Sequence, residues 1–212
     1  MRPLSLLVGA WLLLSGAARA GEGVELLFNG KDLTGWEHVG AGELVVEDGQ
    51  LKTVGGMGHL WYTPRKLRDV ELTVVYKTEH EKTNSGVFVR LPEPPRDPSR
   101  PAHDGYEIQI DDSGAGDRVT GVLFSLNEAK TRPGKPGEWN EMVIALDGDR
   151  TVVTLNGEVV TDYTEGDPVL PKKAETDAAR GRRPTEGYIA LQNRGDGHTV
   201  YFKEVSIKPI KP

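Results

Sequence analysis

Apolar and polar residues alternate with a period of two along most of this chain of 212 residues, and no stretch of ten or more residues follows a convincing helical period. Residues 70–77 (VELTVVYK) are typical of a half-buried strand, because successive side chains of a strand point to opposite faces. Asp48-Gly49 and Asn156-Gly157 each separate two such segments and favour tight hairpins, since these residues tolerate positive φ. The pattern predicts about a dozen short strands, in an all-β sandwich or barrel.

Three long segments interrupt the alternation: residues 92–104, 129–138 and 162–186. The first contains five prolines and is excluded from a central strand, because proline donates no hydrogen bond to a neighbouring strand. In the third, residues 172–183 are polar all round, which predicts a loop with at most one helical turn. Loops of this length in a compact domain are usually functional or disordered.

The first twenty residues are predicted to be a secretory signal peptide. Arg2 precedes an apolar run, Leu4–Leu14, and Ala18-Arg19-Ala20 matches the small-x-small pattern that signal peptidase cleaves. The run is shorter than the ~20 residues that a membrane-spanning helix needs. We therefore expect a secreted or periplasmic protein, with one mature domain at residues 21–212 and no stable membrane span after cleavage.

Composition excludes several classes of function. The chain has no cysteine, so neither disulfides nor a cysteine-based metal site stabilises it, and a conventional core must do so. It carries 26 basic and 32 acidic residues, and two of the basic residues lie in the predicted signal peptide. A mature chain this acidic, with no basic patch interleaved with aromatic residues, is not expected to bind nucleic acid.

The most informative strand is predicted at residues 104–112 (DGYEIQIDD). The alternation places one face, built by Tyr106 and two isoleucines, in the core, and turns Glu107, Gln109 and Asp111 to the other face. A solvated sheet surface would explain this row as well as a functional site does. The proline-rich segment before the strand carries His103, which could fold over the polar face.

Two further strands present polar residues in the same manner. Asn84, Phe88 and Arg90 are expected to share the face opposite to Val87 and Val89. Near the C-terminus, the same alternation turns Gln192 and Arg194 away from the core. Amide and charged groups beside an aromatic ring suit a sugar, whose hydroxyls form hydrogen bonds and whose C–H face stacks on the ring. The sequence leaves open whether these strands are neighbours.

An ordinary glycosidase pair is a weaker interpretation of the polar row. Glu107 and Asp111 are four residues apart on one strand, which separates them by ~13 Å. Retaining glycosidases need carboxyl groups ~5–5.5 Å apart and inverting ones ~6.5–9.5 Å. The intervening Gln109 is no acid, so this separation argues against direct glycosidase chemistry from the pair.

The sequence resembles the bacterial 3-keto-disaccharide hydrolase domain family. The matching blocks occur in the expected order over nearly all of residues 24–208: Glu25–Trp36 (ELLFNGKDLTGW), Asn84–Arg90 (NSGVFVR), Gly105–Asp112 (GYEIQIDD), Gly137–Asn140 (GEWN), Gly187–Asn193 (GYIALQN) and Val200–Val205 (VYFKEV). The resemblance implies a concanavalin A-like lectin/glucanase jelly roll, with two curved antiparallel sheets and a sugar groove on the concave one. It also implies cleavage of 3-keto-glycosides or 3-keto-disaccharides, by hydrolysis or by elimination followed by hydration.

That activity assigns roles to the polar face. A ketone at C3 acidifies the proton at C2, so one general base, an enolate stabiliser and an acid would suffice. Glu107 is the candidate base. Arg90 and Gln109 are the candidates to hold the enolate or the C3 oxygen, and His103 is a candidate acid, base or metal ligand. The remaining substrate-binding candidates are Asn84, Phe88, Gln192 and Arg194. A divalent cation held by Glu107, Asp111 and His103 is a possible cofactor, with oxygen-plus-imidazole ligation.

Other histidines and tryptophans are expected to have no role in the chemistry. His38, His59, His80 and His198 are predicted to be surface or satisfied histidines, and Trp36, Trp61 and Trp139 to pack in the core or at sheet edges. Two alternatives to an enzyme remain, since fold does not fix function. One is a non-catalytic carbohydrate-binding sandwich, and the other is an interaction domain that uses the loop at 162–186.

Overall fold

A computed structural model describes residues 23–99 and 101–210 of the protein. The predicted signal peptide, with its cleavage site after Ala20, lies outside the described residues. Within the described ranges, no helix is both long enough and apolar enough to cross a bilayer.

Nearly all of the regular elements in the described chain are β-strands, which are joined by tight turns and three longer loops. Its elements are β1 Glu25–Leu26, β2 Trp36–Glu47, β3 Gln50–Tyr62, β4 Val70–Thr78, β5 Asn84–Leu91, the helical turn α1 Pro101–Asp104, β6 Tyr106–Asp111, β7 Asn140–Asp147, β8 Arg150–Leu155, β9 Glu158–Thr164, β10 Tyr188–Asn193 and β11 Val200–Pro209. The all-β prediction is confirmed.

The strands form one antiparallel sheet that curls over on itself. Neighbours in the sheet run β6-β5-β10-β3-β11-β4-β7-β8-β9, with β1 beside β11 and β2 beside β3. Strands from its two ends nevertheless touch: the ring of Tyr106 on β6 meets the ring of Tyr163 on β9 edge-on, 5.8 Å between centroids. The two halves therefore enclose one apolar core, to which nearly every strand contributes, including Leu60, Leu72 and Ile108.

Two hairpins form where the sequence predicts them. Asp48 and Gly49 join β2 to β3 with φ of 52° and 76°, and Asn156 and Gly157 join β8 to β9 with φ of 50° and 86°. Consecutive positive φ values are those of a type I′ turn, whose twist matches that of the flanking strands.

The period of two in the sequence also predicts a strand at residues 120–125, but no strand forms there. This stretch lies beside β6 and shares several backbone hydrogen bonds with it, but only Leu123 and Ile108 form a β-bridge, and the other residues are in turns or bends. Gly121 and Ser125 have φ of 90° and 60°, which an extended strand does not accommodate. The Asn127 side chain also accepts the backbone N–H of Leu123 at 2.8 Å, which replaces a sheet hydrogen bond.

The loop that follows β9 is irregular, as predicted, but it is anchored to the domain. Asp177 is fully buried and accepts hydrogen bonds from the backbone N–H groups of Lys173 and Ala174 and from the guanidinium of Arg118, at 2.7, 3.1 and 2.5 Å. The loop is thereby held against the segment after β6, beside the polar face of the sheet.

Candidate functional site

The three strands that carry the predicted site residues are neighbours. β6 pairs with β5, β5 with β10, and β10 with β3. Glu107 lies opposite Phe88 across the first pairing, and Gln192 lies opposite His59 across the last. The alternation on β6 and β10 turns their polar residues to the face away from the core, so a single polar surface results.

A cleft of about 440 Å³ lies on this surface, within the range typical of small-molecule sites. Seven of the residues predicted from the sequence line it: Asn84, Phe88, Glu107, Gln109, Asp111, Gln192 and Arg194. Its walls come from the loops around it, with Pro98 and Ser99 on one side and Arg118, Phe124 and Thr176 contributing elsewhere, together with Met57.

Glu107 is the most perturbed group of the cleft. Its side chain is only 7% exposed and lies over Gly86, where an added Cβ would stand 2.8 Å from Oε1. Burial raises the pKa of Glu107 to about 7, against the opposing influence of a hydrogen bond from Gln192 and of the nearby Arg194 and Arg118 guanidiniums. A carboxyl group with this pKa exchanges a proton readily near neutral pH, which suits a general base.

Two amide oxygens on the cleft floor have no hydrogen-bond partner. They are Oε1 of Gln109 and Oε1 of Gln192, on residues that are 2% and 8% exposed. A buried polar atom without a partner costs ~1–3 kcal/mol. Both residues line the cleft, so a ligand hydroxyl group that reached these oxygens would give each of them its missing partner.

Asp111, by contrast, is committed to protein contacts. Its Oδ2 accepts a hydrogen bond from the Asn84 side-chain amide at 3.1 Å. Its Oδ1 accepts from the backbone N–H and hydroxyl of Ser113 and from the N–H of Gly114, at 2.8–3.0 Å. The Nδ1 atom of His198 in turn accepts the backbone N–H of Asn84 at 3.0 Å. These contacts fix the edge of the cleft. They also occupy both oxygens of the Asp111 carboxylate, which is therefore poorly suited to bind a ligand or to transfer a proton.

The prediction that Arg90 shares the face of Asn84 and Phe88 is wrong. Arg90 has φ of 55°, and the pairing of β5 with β10 shifts register beside it, so a bulge breaks the alternation. Its fully buried guanidinium points to the opposite half of the sandwich. There it donates to the hydroxyl of Thr151 and to the carbonyl oxygens of Gly148, Arg150 and Pro184, at 2.8–3.2 Å.

The predicted grouping of His103 with Glu107 and Asp111 is not found either. His103 lies in α1 and is not among the residues that line the cleft. Nowhere in residues 23–99 and 101–210 do three His, Asp or Glu side chains come close enough to hold a metal ion. The side chains present therefore do not fit the divalent cation considered from the sequence.

The sequence analysis did not predict two kinds of residue at the cleft, an arginine that a loop brings there and a histidine on β3. Arg118 reaches Asp177 at 2.5 Å and stacks on Phe124, with 4.8 Å from Cζ to the ring centroid. His59, predicted to be a surface or satisfied histidine, is fully buried on the cleft side of β3. No periodic signal marks a lone arginine in a loop or a histidine in a glycine-rich strand.

The tryptophans pack as the sequence predicts. Trp36 lies in the core, 5.3 Å from the ring of Tyr62. Trp61 packs edge-on against Tyr188 at 5.3 Å, in a small apolar cluster that also includes Phe88. Trp139 is half-buried, with the ammonium groups of two lysines within about 5 Å of its ring.

Solved structures place the fold among carbohydrate-related proteins. A candidate glycosyl hydrolase from Parabacteroides distasonis is 26% identical, with 90% of this chain and 95% of that chain covered and a TM-score of 0.70. The carbohydrate-binding module CBM66 from Bacillus subtilis is 16% identical, and the match covers 82% of this chain and 95% of that chain with a TM-score of 0.54. An endo-β-1,3(4)-glucanase of family GH16 is 12% identical, and the match covers 91% of this chain and 94% of that chain with a TM-score of 0.56.

These likenesses confirm the predicted jelly-roll sandwich of the concanavalin A-like type. None of the curated proteins compared with this chain matches it. A family model for the 3-keto-α-glucoside-1,2-lyase-like domain matches residues 23–208, which agrees with the resemblance seen in the sequence and gives the protein a carbohydrate-related role. The chain belongs to the 3-keto-α-glucoside-1,2-lyase-like domain family.

Proposed function

We propose that this protein is an enzyme that cleaves 3-keto-glycosides, with Glu107 as the general base. The observation that carries the proposal is the buried Glu107 carboxyl group, whose pKa is raised by burial to about 7, on the floor of a cleft. Membership in the 3-keto-α-glucoside-1,2-lyase-like family supports the choice of substrate. A base that is tuned to neutral pH is what removal of a weakly acidic C–H proton requires.

The reaction has two steps, elimination and hydration, which balance with water as the only co-reactant. The Glu107 carboxylate takes the proton from C2, and the electrons of the C2–H bond delocalise onto the C3 oxygen as an enolate. When the C3 carbonyl re-forms, a C1–C2 double bond appears, and the glycosidic oxygen leaves C1 with its electron pair and takes from Glu107 the proton that came from C2, which restores the carboxylate. Water then adds across the double bond, with its hydroxyl at C1 and its hydrogen at C2.

The residues around Glu107 supply the other requirements. Arg194 and Arg118 lie close enough to influence the Glu107 carboxyl group electrostatically, so the same positive charges would stabilise an enolate oxygen formed beside it. The unpartnered amide oxygens of Gln109 and Gln192 would accept hydrogen bonds from sugar hydroxyls. Phe88 offers an apolar surface to the C–H face of the ring.

Elimination followed by hydration is favoured over direct hydrolysis by a carboxylate pair. The second carboxyl group of the cleft, Asp111, already accepts four hydrogen bonds from Asn84, Ser113 and Gly114. It is therefore poorly placed to serve as nucleophile or acid opposite Glu107. A single free carboxyl group is sufficient when the C3 ketone makes the C2 proton acidic.

Comparison of two matched substrates tests the proposal. The protein is incubated with a 3-keto-disaccharide and, separately, with the same disaccharide before oxidation, and the released monosaccharides are quantified. We expect release from the keto form alone, because only its C2 proton is acidic. Binding of the keto form without any release would contradict the proposal and favour a carbohydrate-binding module. Equal release from both forms would indicate an ordinary glycosidase.

Export to the periplasm or medium stays a prediction from the N-terminal sequence. An exported enzyme would meet sugars outside the cytoplasm, which agrees with a substrate that is a modified extracellular glycoside. Fractionation of cells that produce the full chain, with N-terminal sequencing of the product, would test both the location and cleavage after Ala20.

A further inference from the structure

A proline-rich strap, residues 92–99, crosses the sheet and forms one wall of the cleft. It leaves the end of β5, and its Pro98 reaches both β3 and β2, which lie two and three strands further along the sheet. Its close approach to β2 is visible at Gly40, where an added Cβ would stand 3.2 Å from Cβ of Pro98. Pro98 and Ser99 both line the cleft.

The strap needs an anchor supplied by the sheet. Half of its eight residues are prolines, which have no backbone N–H to donate to a strand. The anchor is His59 on β3, whose Nε2 lies 2.7 Å from the carbonyl oxygen of Pro98. Because a carbonyl oxygen can only accept, Nε2 carries the hydrogen of the imidazole.

Among the described residues, the contact with Pro98 is the one hydrogen bond of the His59 ring. The ring is fully buried and packs edge-on against Phe88, with 4.8 Å between centroids. Its Nδ1 is buried with no partner, which is a cost that an apolar residue of similar size would avoid. Burial lowers the pKa of His59, which keeps the ring in the neutral form that donates from Nε2.

We propose that His59 is a positioning residue, which fixes the strap across the sheet and so sets the wall of the cleft against which the ligand packs. The same imidazole packs against the Phe88 ring in a T-shaped arrangement and donates its Nε2–H to Pro98, so it aligns the two apolar residues on that side of the cleft. The anchoring of the strap stands on geometry alone. The identity of the ligand rests on the proposed function.

Limited trypsin digestion tests the anchoring without any ligand. Arg96 is exposed in the strap, and Arg182 is exposed in the separate loop before β10, so cleavage after each can be followed in one digest. In His59→Leu we expect cleavage after Arg96 to accelerate about tenfold, the factor that one lost hydrogen bond of ordinary strength gives. Cleavage after Arg182 should not change. His59→Gln, whose amide N–H can reach Pro98, should restore slow cleavage.

Three results would overturn the anchoring. One is an unchanged rate after Arg96 in His59→Leu. Another is an equal acceleration after Arg96 and Arg182, which would mean that the whole domain is destabilised. The third is a His59→Gln variant that is cleaved as fast as His59→Leu, since the hydrogen bond would then not be what holds the strap.

A second readout tests the effect on the ligand. If the protein turns over the 3-keto-disaccharide, His59→Leu should raise KM about tenfold with kcat little changed, and His59→Gln should restore KM, because the wall binds but does not react. An unchanged KM in a variant whose strap is loosened would overturn the role in binding. If the wild-type protein does not act on this sugar, the proposed function fails, and the digestion alone decides the role of His59.

Discussion

Replacement of Glu107 with Gln is expected to abolish turnover and, at the same time, to stabilise the fold above pH 7. The folded protein raises the pKa of this carboxyl group from 4.5 to about 7, chiefly by burial. The stability that its protonated form contributes is complete below pH 4.5 and is lost as the pH rises through about 7. At pH 8 the ionised carboxylate then costs about 3 kcal/mol.

Glutamine has nearly the same shape and never ionises, so Glu107→Gln avoids this cost. Urea unfolding at pH 8 should show a gain that approaches about 3 kcal/mol over the wild-type protein, and the gain should shrink towards zero near pH 4.5. Glu81→Gln removes an exposed carboxylate and is the matched control, with little change in either property. A Glu107→Gln variant that keeps its turnover would contradict the assignment of Glu107 as the base. A variant that is destabilised equally at both pH values would contradict the raised pKa of the carboxyl group.

Replacement of Arg90 with Ala is expected to have the opposite effect on stability to Glu107→Gln. The free energy of unfolding should fall by several kcal/mol, because Arg90 forms its contacts outside the cleft, in the interior of the domain. The guanidinium satisfies Thr151 and three backbone carbonyl oxygens in the interior. Its removal takes a donor from one buried and three part-buried acceptors, and since a buried acceptor left unpaired costs ~1–3 kcal/mol, we expect a total loss of about 3–5 kcal/mol. Chemical denaturation measures the loss, and a variant that fails to fold is its extreme form.

Arg194 provides the matched comparison for Arg90. It is exposed at the cleft and contacts Met57 at 3.7 Å, so Arg194→Ala should change the free energy of unfolding by no more than ~0.5 kcal/mol. The same substitution should weaken binding of the keto sugar. If Arg90→Ala instead kept wild-type stability and lost only its activity, the original expectation that Arg90 acts in the site would be reinstated.

The contrast between these two arginines shows where reasoning from the sequence succeeds and where it stops. Strands β6 and β10 are regular, so the period of two placed Glu107, Gln109 and Gln192 on the cleft face. Strand β5 follows the same rule only as far as Val89. At Arg90 the left-handed φ of 55° adds a bulge, and no residue that favours positive φ marks that position in the sequence.

The walls of the cleft lie beyond what periodicity can predict. Pro98, Arg118 and Thr176 come from three loops that are far apart in the chain and meet through specific contacts. The bond from Arg118 to Asp177, for example, joins residues 59 positions apart. Patterns of hydrophobicity determine which face of a strand is buried, but they contain no information on where a loop returns to the sheet.

The central claim, that Glu107 removes a proton from C2, is tested most directly by cleavage of a 3-keto-disaccharide in D2O. After elimination and hydration, the hydrogen at C2 comes from solvent, so we expect one deuterium at C2 of the released keto sugar, detected by NMR. Incubation of that product with Glu107→Gln for the same time corrects for uncatalysed exchange. Release of a keto sugar that retains hydrogen at C2 in every molecule would contradict the claim, because the bond would then have been cleaved without loss of that proton.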